Sequence, residues 1–175
     1  QTLLYRDDIG YLGEMMNYPG VVNGDPEVLG KIRAAEACGK PVDGHAPGLR
    51  GDILRKYRGV GISTDHESFG IEEAREKVSL GMKILIREGS AAKNFDTLCT
   101  LITDYPEQCM FCTDDAHPDA LVRGHINLLV KRAVRKGIDL LKVLRCACLN
   151  PVDHYRLNVG LLRISDPADM IVIDN

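Results

Sequence analysis

Four residues of types that bind divalent metal ions, Glu14, His45, His66 and Asp114, are widely separated in this 175-residue chain. Histidine nitrogen and carboxylate oxygen suit Mn(II), Fe(II) or Zn(II), and a carboxylate can bridge two ions. A pair of such ions lowers the pKa of a shared hydroxide and so provides a nucleophile at neutral pH. Each of the four stands in a short polar segment that follows an apolar, strand-like run. These residue types predict a metal site if the fold brings them together.

Strand and helix patterns alternate between these residues. Strands are predicted at 11–16, 41–45, 60–64, 83–86 and 108–113, and helices at 26–38, 50–57, 71–80, 95–102, 121–136 and 139–149. Strands that alternate with helices pair in parallel, so their carboxyl ends lie at one face of the sheet. Barrel enzymes build their active sites from the loops at that face. The alternation therefore predicts that the four polar segments converge.

Local signals support several of these elements. Asp25 followed by Pro26 is typical of a helix start, and the apolar stripe of that helix is Val28, Ile32 and Ala35. The predicted inner stripe of the 121–136 helix is Ile126, Leu129, Val130, Ala133 and Val134. Pro151 is expected to stop the 139–149 helix. Residues 160–162 and 170–173 are short strand candidates that break the rhythm, so we divide the chain into a domain at 1–158 and the start of a second domain at 159–175.

Composition restricts the class of protein. Hydrophobic residues make up 45% and charged residues 27% of the chain, which is ordinary for a globular protein. The net charge is −3 and basic residues are dispersed, so we expect no nucleic-acid partner. The sequence has no apolar run long enough to span a membrane and no signal peptide, so we expect a cytoplasmic protein without a membrane partner. Because the chain starts at Gln1, we expect that an N-terminal part is missing.

The six cysteines are predicted to be reduced and mostly buried. Cys109 and Cys112 have the spacing of a redox or zinc pair, but they lie in a strand pattern, where residues three apart point to opposite faces. Cys146 and Cys148 stand in a helical pattern without a second pair at zinc spacing. Small buried apolar residues are the commonest role of free cysteine.

Five strand–helix units are too few for an eight-stranded barrel, which typically needs about 250 residues. The pattern alone leaves two α/β architectures open. One is an open doubly wound sheet, and the other is the C-terminal part of a barrel.

Several motifs, in order, resemble the adenine deaminase branch of the amidohydrolase superfamily. The matching segments are 13–17 with 19–21, 39–48, 61–67, 86–94, 112–115 with 117–118, 150–151, 160 and 168–174. The resemblance covers nearly the whole chain and implies a (β/α)8 TIM barrel of the metal-dependent hydrolase type. The chain would supply about strands 4 to 8 of that barrel and the start of a small β domain.

The resemblance also implies a site with two divalent ions, Mn or Fe(II), with Zn as an alternative. Glu14 would bridge the ions, His45 and His66 would bind the second, and Asp114 would bind a metal and transfer protons. The first-strand His-x-His pair of the family is not found in this sequence. The ligand set of this chain is therefore half of the family's set.

The implied reaction is hydrolytic deamination of adenine to hypoxanthine and ammonia. A hydroxide between the metals would attack C6, with Asp114 as general base and then general acid. Glu14 and Glu67 complete the catalytic set, and Glu67 would serve proton transfer or purine recognition. The resemblance assigns substrate contacts to Asp115, and we add Glu88 and Ser90 as further candidates.

Individual residues also have simpler interpretations. Glu14 stands in an apolar run, and we expect it to be buried, where an unpaired carboxylate is costly and a metal would compensate it. Glu88 and Arg87 could form a surface ion pair at a strand end. His45 could be an idle histidine in a glycine-rich turn.

Two alternatives to the implied activity remain open at this point. A different amidohydrolase acting on a cyclic amide is one, and a non-catalytic fragment or remnant is the other. Because an open part of a barrel exposes strand edges, we expect pairing with the missing barrel portion or a homo-oligomer.

Overall fold

The computed structural model describes residues 2–173 and contains five strands, all paired in parallel. They are β1 (Leu12–Met15), β2 (Val42–Gly44), β3 (Thr64–Asp65), β4 (Lys83–Arg87) and β5 (Cys109–Cys112). β1 pairs with β2, and β3, β4 and β5 form a second ladder. An isolated parallel bridge between Val42 and Ile62 connects the two ladders. The neighbour order of the strands thus follows their order in the chain.

Helices cover the connections between the strands. They are α1 (Tyr18–Asn23), α2 (Pro26–Ala37), α3 (Gly51–Gly59), α4 (Ile71–Ser79), α5 (Phe95–Leu98), α6 (Leu101–Asp104), α7 (Pro118–Leu121), α8 (Ile126–Arg135), α9 (Leu140–Leu144) and α10 (Asn150–Tyr155). A 3-10 turn at Thr2–Tyr5 precedes β1. The α/β prediction is confirmed. A doubly wound sheet needs a point at which the strand order reverses, and residues 2–173 have none.

Two hydrophobic clusters lie between the strands and the helices. One contains the fully buried Ile84, Ile86 and Phe95, and the ring of Phe95 stacks 6.3 Å from that of Phe111. The other contains residues of the first half of the chain, among them Ile32, Leu54, Tyr57 and Ile62. Burial of this apolar area is the main force that holds the helices against the strands.

The predicted start of α2 is confirmed in detail. One carboxylate oxygen of Asp25 accepts hydrogen bonds from the backbone N–H of Glu27 (2.8 Å) and of Val28 (3.3 Å), which satisfies two of the free donors at the helix start. The predicted stripe of Val28, Ile32 and Ala35 is buried. Here the local sequence alone determined both the beginning and the buried face of a helix.

Two predicted helices are interrupted. The 95–102 helix is two short ones, α5 and α6. The 121–136 prediction was wrong at its start, because α8 begins at Ile126 and a separate turn, α7, precedes it. Gly124 lies between them with φ 144°, a conformation that ends a helix and that side-chain-bearing residues rarely adopt. Val134 of the predicted inner stripe is 38% exposed.

The prediction that Pro151 ends the last helix was wrong. The helix continues from α9 through a π-helical turn at Arg145–Leu149 into α10, with Pro151 in the first turn of α10. Pro151 closely follows the π-helical turn, where the regular hydrogen-bond pattern of the α-helix is already interrupted, and this accommodates a residue without an N–H. The Asn150 side chain fixes this junction by donating to the carbonyl oxygens of Pro106 (2.6 Å) and Cys109 (2.7 Å).

Residues 159–173 follow α10 without a regular element, so the strand candidates at 160–162 and 170–173 were wrong. Apolar side chains of this segment are exposed, including Ile164 (100%) and Val172 (94%). A strand needs a partner for its hydrogen bonds, and this segment pairs with no strand of residues 2–173. Residues 174 and 175, part of the predicted second domain, lie outside the described residues. The boundary at 158 stays a prediction.

All six cysteines carry free thiols, as predicted, and Cys99, Cys109 and Cys146 are buried. Burial raises the pKa of the Cys112 thiol to about 12, which keeps it a thiol at neutral pH. Cys148 is exposed, so the expected burial applies only to part of the set.

No helix within residues 2–173 combines the length and the apolar character that crossing a membrane requires.

Candidate metal centre

Glu14, His45 and His66 meet at the carboxyl ends of β1, β2 and β3. One potential ligand atom from each lies within 4.8 Å of the other two. Glu14 Oε2 is 3.3 Å from Nδ1 of His45 and 2.9 Å from Nε2 of His66. The two imidazole rings stand edge to face, with centroids 5.4 Å apart. Three residues from three successive strand ends thus aim their ligand atoms at one point.

The three side chains differ in exposure. The His66 side chain is 8% exposed, that of His45 20% and that of Glu14 38%. The expectation that Glu14 is a buried carboxylate was therefore wrong, because β1 pairs only with β2 and is an edge strand within residues 2–173. His66 is thus the most buried of the three side chains, and Glu14 is the one most exposed to solvent.

Asp114 follows β5 and approaches the same point from the far side. Its Oδ1 is 3.7 Å from Nε2 of His66, and its Oδ2 is 2.8 Å from Nη2 of Arg87. Asp114 has a positive φ of 43°, and aspartate tolerates this conformation better than most residues. The fourth predicted ligand is thus near the group, but Arg87 holds one of its oxygens.

Arg87, at the end of β4, joins three of the predicted site residues. Its guanidinium forms ion pairs with Glu67, Asp114 and Asp115, and its side chain is only 9% exposed. Glu67 Oε1 also lies 3.5 Å from Nε2 of His66. The carboxylate of Asp115 accepts a hydrogen bond from the backbone N–H of Ala91 (2.7 Å), and this bond together with Arg87 lowers the pKa of Asp115.

Glu88 and Ser90 lie apart from this group. Glu88 pairs with Arg132 (2.9 Å) and Lys93 (3.4 Å), and not with Arg87, so the alternative of an Arg87–Glu88 ion pair is wrong. Successive residues of a strand point to opposite faces, which sends Arg87 and Glu88 in different directions. Ser90 Oγ accepts a hydrogen bond from the backbone N–H of His117 at 2.9 Å. Glu88 and Ser90 both line a cavity of about 400 Å³ beside β5.

Buried polar side chains connect the strand ends that carry the group. The Tyr57 hydroxyl accepts from the backbone N–H of His45 (2.8 Å) and donates to the carbonyl of Met15 (3.0 Å). Asn94 accepts from the backbone N–H of Arg87 and donates to the carbonyl of His66 at 3.0 Å. Backbone atoms of the loops are thereby held by side chains of the surrounding structure.

The interior below the group is also polar. Burial raises the pKa of the Asp43 carboxyl, although Thr64 and Tyr155 both donate hydrogen bonds to it. The Tyr155 hydroxyl is 3.0 Å from each Asp43 oxygen, which docks α10 onto β2. Gly44 allows β2 to pack closely against β3, because a β carbon there would collide with the carbonyl oxygen of Thr64.

The donor set fits a divalent cation. Two imidazole nitrogens and one carboxylate oxygen are the ligands that Zn, Mn and Fe(II) accept, and a set of three leaves positions open for water or substrate. The mutual distances allow one ion to touch all three atoms. A candidate metal site with these ligands is therefore present, with Asp114 within reach.

Arg87, Tyr57 and Asn94 had no strong signal in the sequence. Arg87 is the last residue of an apolar strand, which is the position where barrel enzymes place functional side chains. Tyr57 and Asn94 act through contacts distant in sequence, so no local pattern identifies them.

The model of the amidohydrolase family matches residues 2–175. This chain belongs to the amidohydrolase family, and the family resemblance of its motifs is confirmed. The family agrees with the parallel α/β structure and with a cluster of metal-binding side chains at the strand ends.

Adenine deaminases are among the most similar proteins. The chain is 62% identical over 174 residues to the adenine deaminase of Salinibacter ruber and 62% identical over 174 residues to that of Methanosarcina acetivorans. It is 59% identical over 175 residues to that of a Sulfurovum species. These matches cover 99%, 99% and 100% of this chain, but only 32%, 32% and 33% of the relatives. The chain thus spans about a third of their length.

Proposed function

We propose that this chain is part of a metal-dependent hydrolase that converts adenine to hypoxanthine and ammonia. The observation that carries the proposal is the convergence of Glu14, His45 and His66 within 4.8 Å. The high identity to proteins named adenine deaminase favours adenine over a cyclic amide as substrate. We expect Mn or Fe(II), with Zn as the alternative, and two ions when the ligand set is complete. A cytoplasmic location stays a prediction.

The architecture we propose is an arc of a TIM barrel that continues into a small β domain. The sequential parallel order of β1 to β5 supports this arc, because neighbours in a barrel follow the chain. β1 and β5 have unpaired outer edges within residues 2–173. We propose that other barrel strands, or further copies of the chain, cover these edges.

Asp114 is the proposed proton carrier. Divalent ions held by Glu14, His45 and His66 would supply Lewis acidity that activates water for attack at neutral pH. Asp114 would take a proton from the attacking water and return it to the departing amine. Arg87 contacts the oxygen of Asp114 that faces away from His66, which orients the carboxylate toward the group.

The adenine ring would lie between the metal group and the β5 side of the site. Glu67 and Asp115 present carboxylates there, which would accept hydrogen bonds from the exocyclic amine and from the protonated ring nitrogen of adenine. Asp115 is already fixed by Arg87 and by the Ala91 N–H, which suits a contact that must be rigid. Glu88 and Ser90, across the 400 Å³ cavity, would bind outer parts of the substrate or attached water.

Adenine turnover tests the proposal directly. Purified protein with added Mn(II) should convert adenine to hypoxanthine, followed by ultraviolet absorbance, and Asp114→Asn should lower kcat by about 10²–10⁴-fold. Asp52→Asn is the matched control, since the Asp52 side chain is 91% exposed in a surface ion pair. It should leave kcat unchanged.

A second arm separates activity from metal binding. If the protein binds Mn(II) but does not turn over adenine, the chain is the non-catalytic part of such an enzyme. If it converts a cyclic amide and not adenine, the substrate assignment is refuted. If Asp114→Asn retains full kcat, the proton role of Asp114 is refuted.

A further inference from the structure

Lys77 is a fully buried cation that contacts both histidine-bearing loops. It lies on α4 with a side-chain exposure of 0%. Its ammonium is 2.6 Å from the carbonyl oxygen of Ala46, 2.9 Å from Asp65 Oδ2, 3.0 Å from Ser68 Oγ and 2.5 Å from Glu73 Oε1. An ammonium has three N–H donors, so with four acceptors in contact none of its donors lacks a partner.

The acceptors of Lys77 adjoin the two histidines. Ala46 follows His45, and Asp65 precedes His66. The two loops are also joined to each other, because Asp65 Oδ1 accepts a hydrogen bond from the backbone N–H of Ala46 at 2.8 Å. Lys77 therefore contacts both residues, Ala46 and Asp65, of the hydrogen bond that joins the two histidine-bearing loops.

Glu73 and Ser68 extend the same cluster. Glu73 accepts from the backbone N–H of Gly48 (2.9 Å) in the first loop and of Phe69 (3.1 Å) in the second. Ser68 Oγ donates to Asp65 Oδ2 at 2.7 Å. Each loop thus has several backbone or side-chain atoms fixed by one buried polar cluster.

Stability alone does not account for a buried cation with two carboxylates. Removing such charges from water is costly, and apolar replacements of similar volume are often equally stable. The cluster does provide a fixed distance between His45 and His66. We propose that Lys77 is a positioning residue that sets this distance for metal binding. This inference rests on the metal site of the proposed function.

The test variant is the double substitution Lys77→Met/Glu73→Gln. It removes one positive and one negative charge, so the net charge of the cluster stays at the value given by Asp65 alone. Glutamine is chosen to replace Glu73 because its amide oxygen still accepts a backbone hydrogen bond, which an apolar side chain cannot do. The net charge near the histidines is then unchanged, so a loss of metal affinity cannot come from a change in that net charge.

Co(II) affinity is the first readout, measured from visible absorption of the purified protein, and the melting temperature is the second. The double variant leaves Asp65 buried without a cation, so its melting temperature should fall. In samples that circular dichroism shows to be folded, Co(II) affinity should fall about tenfold, as loss of supporting contacts does at other metal sites. Lys56→Met, on the exposed face of α3, is the matched control and should bind like wild type.

Unchanged Co(II) affinity in a folded double variant would overturn the proposal. If that variant does not fold, Ser68→Ala decides, since it removes an uncharged contact of Lys77 and should weaken Co(II) binding about threefold. Equal affinity of Ser68→Ala and wild type would also overturn it. Failure of the wild type to bind Co(II) would instead refute the metal site itself.

Discussion

Replacing Tyr57 with phenylalanine tests whether buried hydroxyl contacts hold the metal-binding strand ends. The ring is fully buried, and phenylalanine preserves its apolar packing. Only the hydroxyl is lost, which leaves the His45 N–H and the Met15 carbonyl without that partner. Burial raises the pKa of Tyr57, so its hydroxyl is a donor throughout the neutral range.

The magnitude follows from those two groups. Each buried polar group left without a partner costs about 1–3 kcal/mol. Because the bond from the His45 N–H is only part-buried, its loss costs less than that of a fully buried bond, and we expect Tyr57→Phe to lower the free energy of unfolding by about 2–4 kcal/mol in total. With a urea m value of about 2 kcal/mol/M, the midpoint should fall by about 1–2 M.

The assay is urea unfolding followed by far-ultraviolet circular dichroism, with Co(II) affinity measured on the same samples. Tyr5→Phe is the matched control, because Tyr5 is 70% exposed, and its effect should stay within about 0.5 kcal/mol. The reasoning is refuted if Tyr57→Phe behaves like this control in both stability and Co(II) binding.

Three further predictions follow from other parts of the structure. Glu14→Gln should weaken Mn(II) binding at least about tenfold, because it replaces a proposed carboxylate ligand. Stability should change little, because the Glu14 side chain is 38% exposed. Calorimetric titration measures the affinity, and a wild-type value would contradict the prediction. The pKa of His154 is lowered from 6.5 to about 4 by burial and by Lys83. The unfolded chain therefore binds a proton first as pH falls through this range, and the free energy of unfolding should decrease by roughly 1–2 kcal/mol after allowance for solvent access. His154→Gln should flatten that decrease in urea titrations between about pH 4 and 7, and an unchanged slope would contradict the cause. Phe95→Ala should cost about 3–5 kcal/mol in thermal unfolding, against a smaller loss for Phe95→Leu, because Phe95 is fully buried; equal losses would contradict a packing role.

The elements that the sequence predicted well have strong local signals. Asp25 and Pro26 define the start of α2 through atoms within three residues, so no distant partner is needed. β4 was predicted at 83–86 because a short apolar run bounded by glycine is typical of a buried strand. The observed strand extends one residue further, to Arg87.

Two of the wrong predictions concern elements that depend on distant partners. The apolar run at 170–173 has strand composition but pairs with nothing in residues 2–173, and composition cannot supply a hydrogen-bonding partner. Pro151 was expected to end a helix, yet the helix continues past it, and Asn150 anchors this point by donating to the carbonyl oxygens of Pro106 and of Cys109 at the start of β5.

The types and order of the metal-binding residues are properties of the sequence alone. Parallel strands place their carboxyl ends together, and for that reason Glu14, His45 and His66 could be expected at one point. The tertiary structure alone decided that Arg87 faces the site while Glu88 pairs with Arg132, and that Lys77 joins the two histidine loops. Hydrogen bonds and ion pairs form only between groups a few ångströms apart in space. The positions of two residues along the chain do not show whether folding brings them that close.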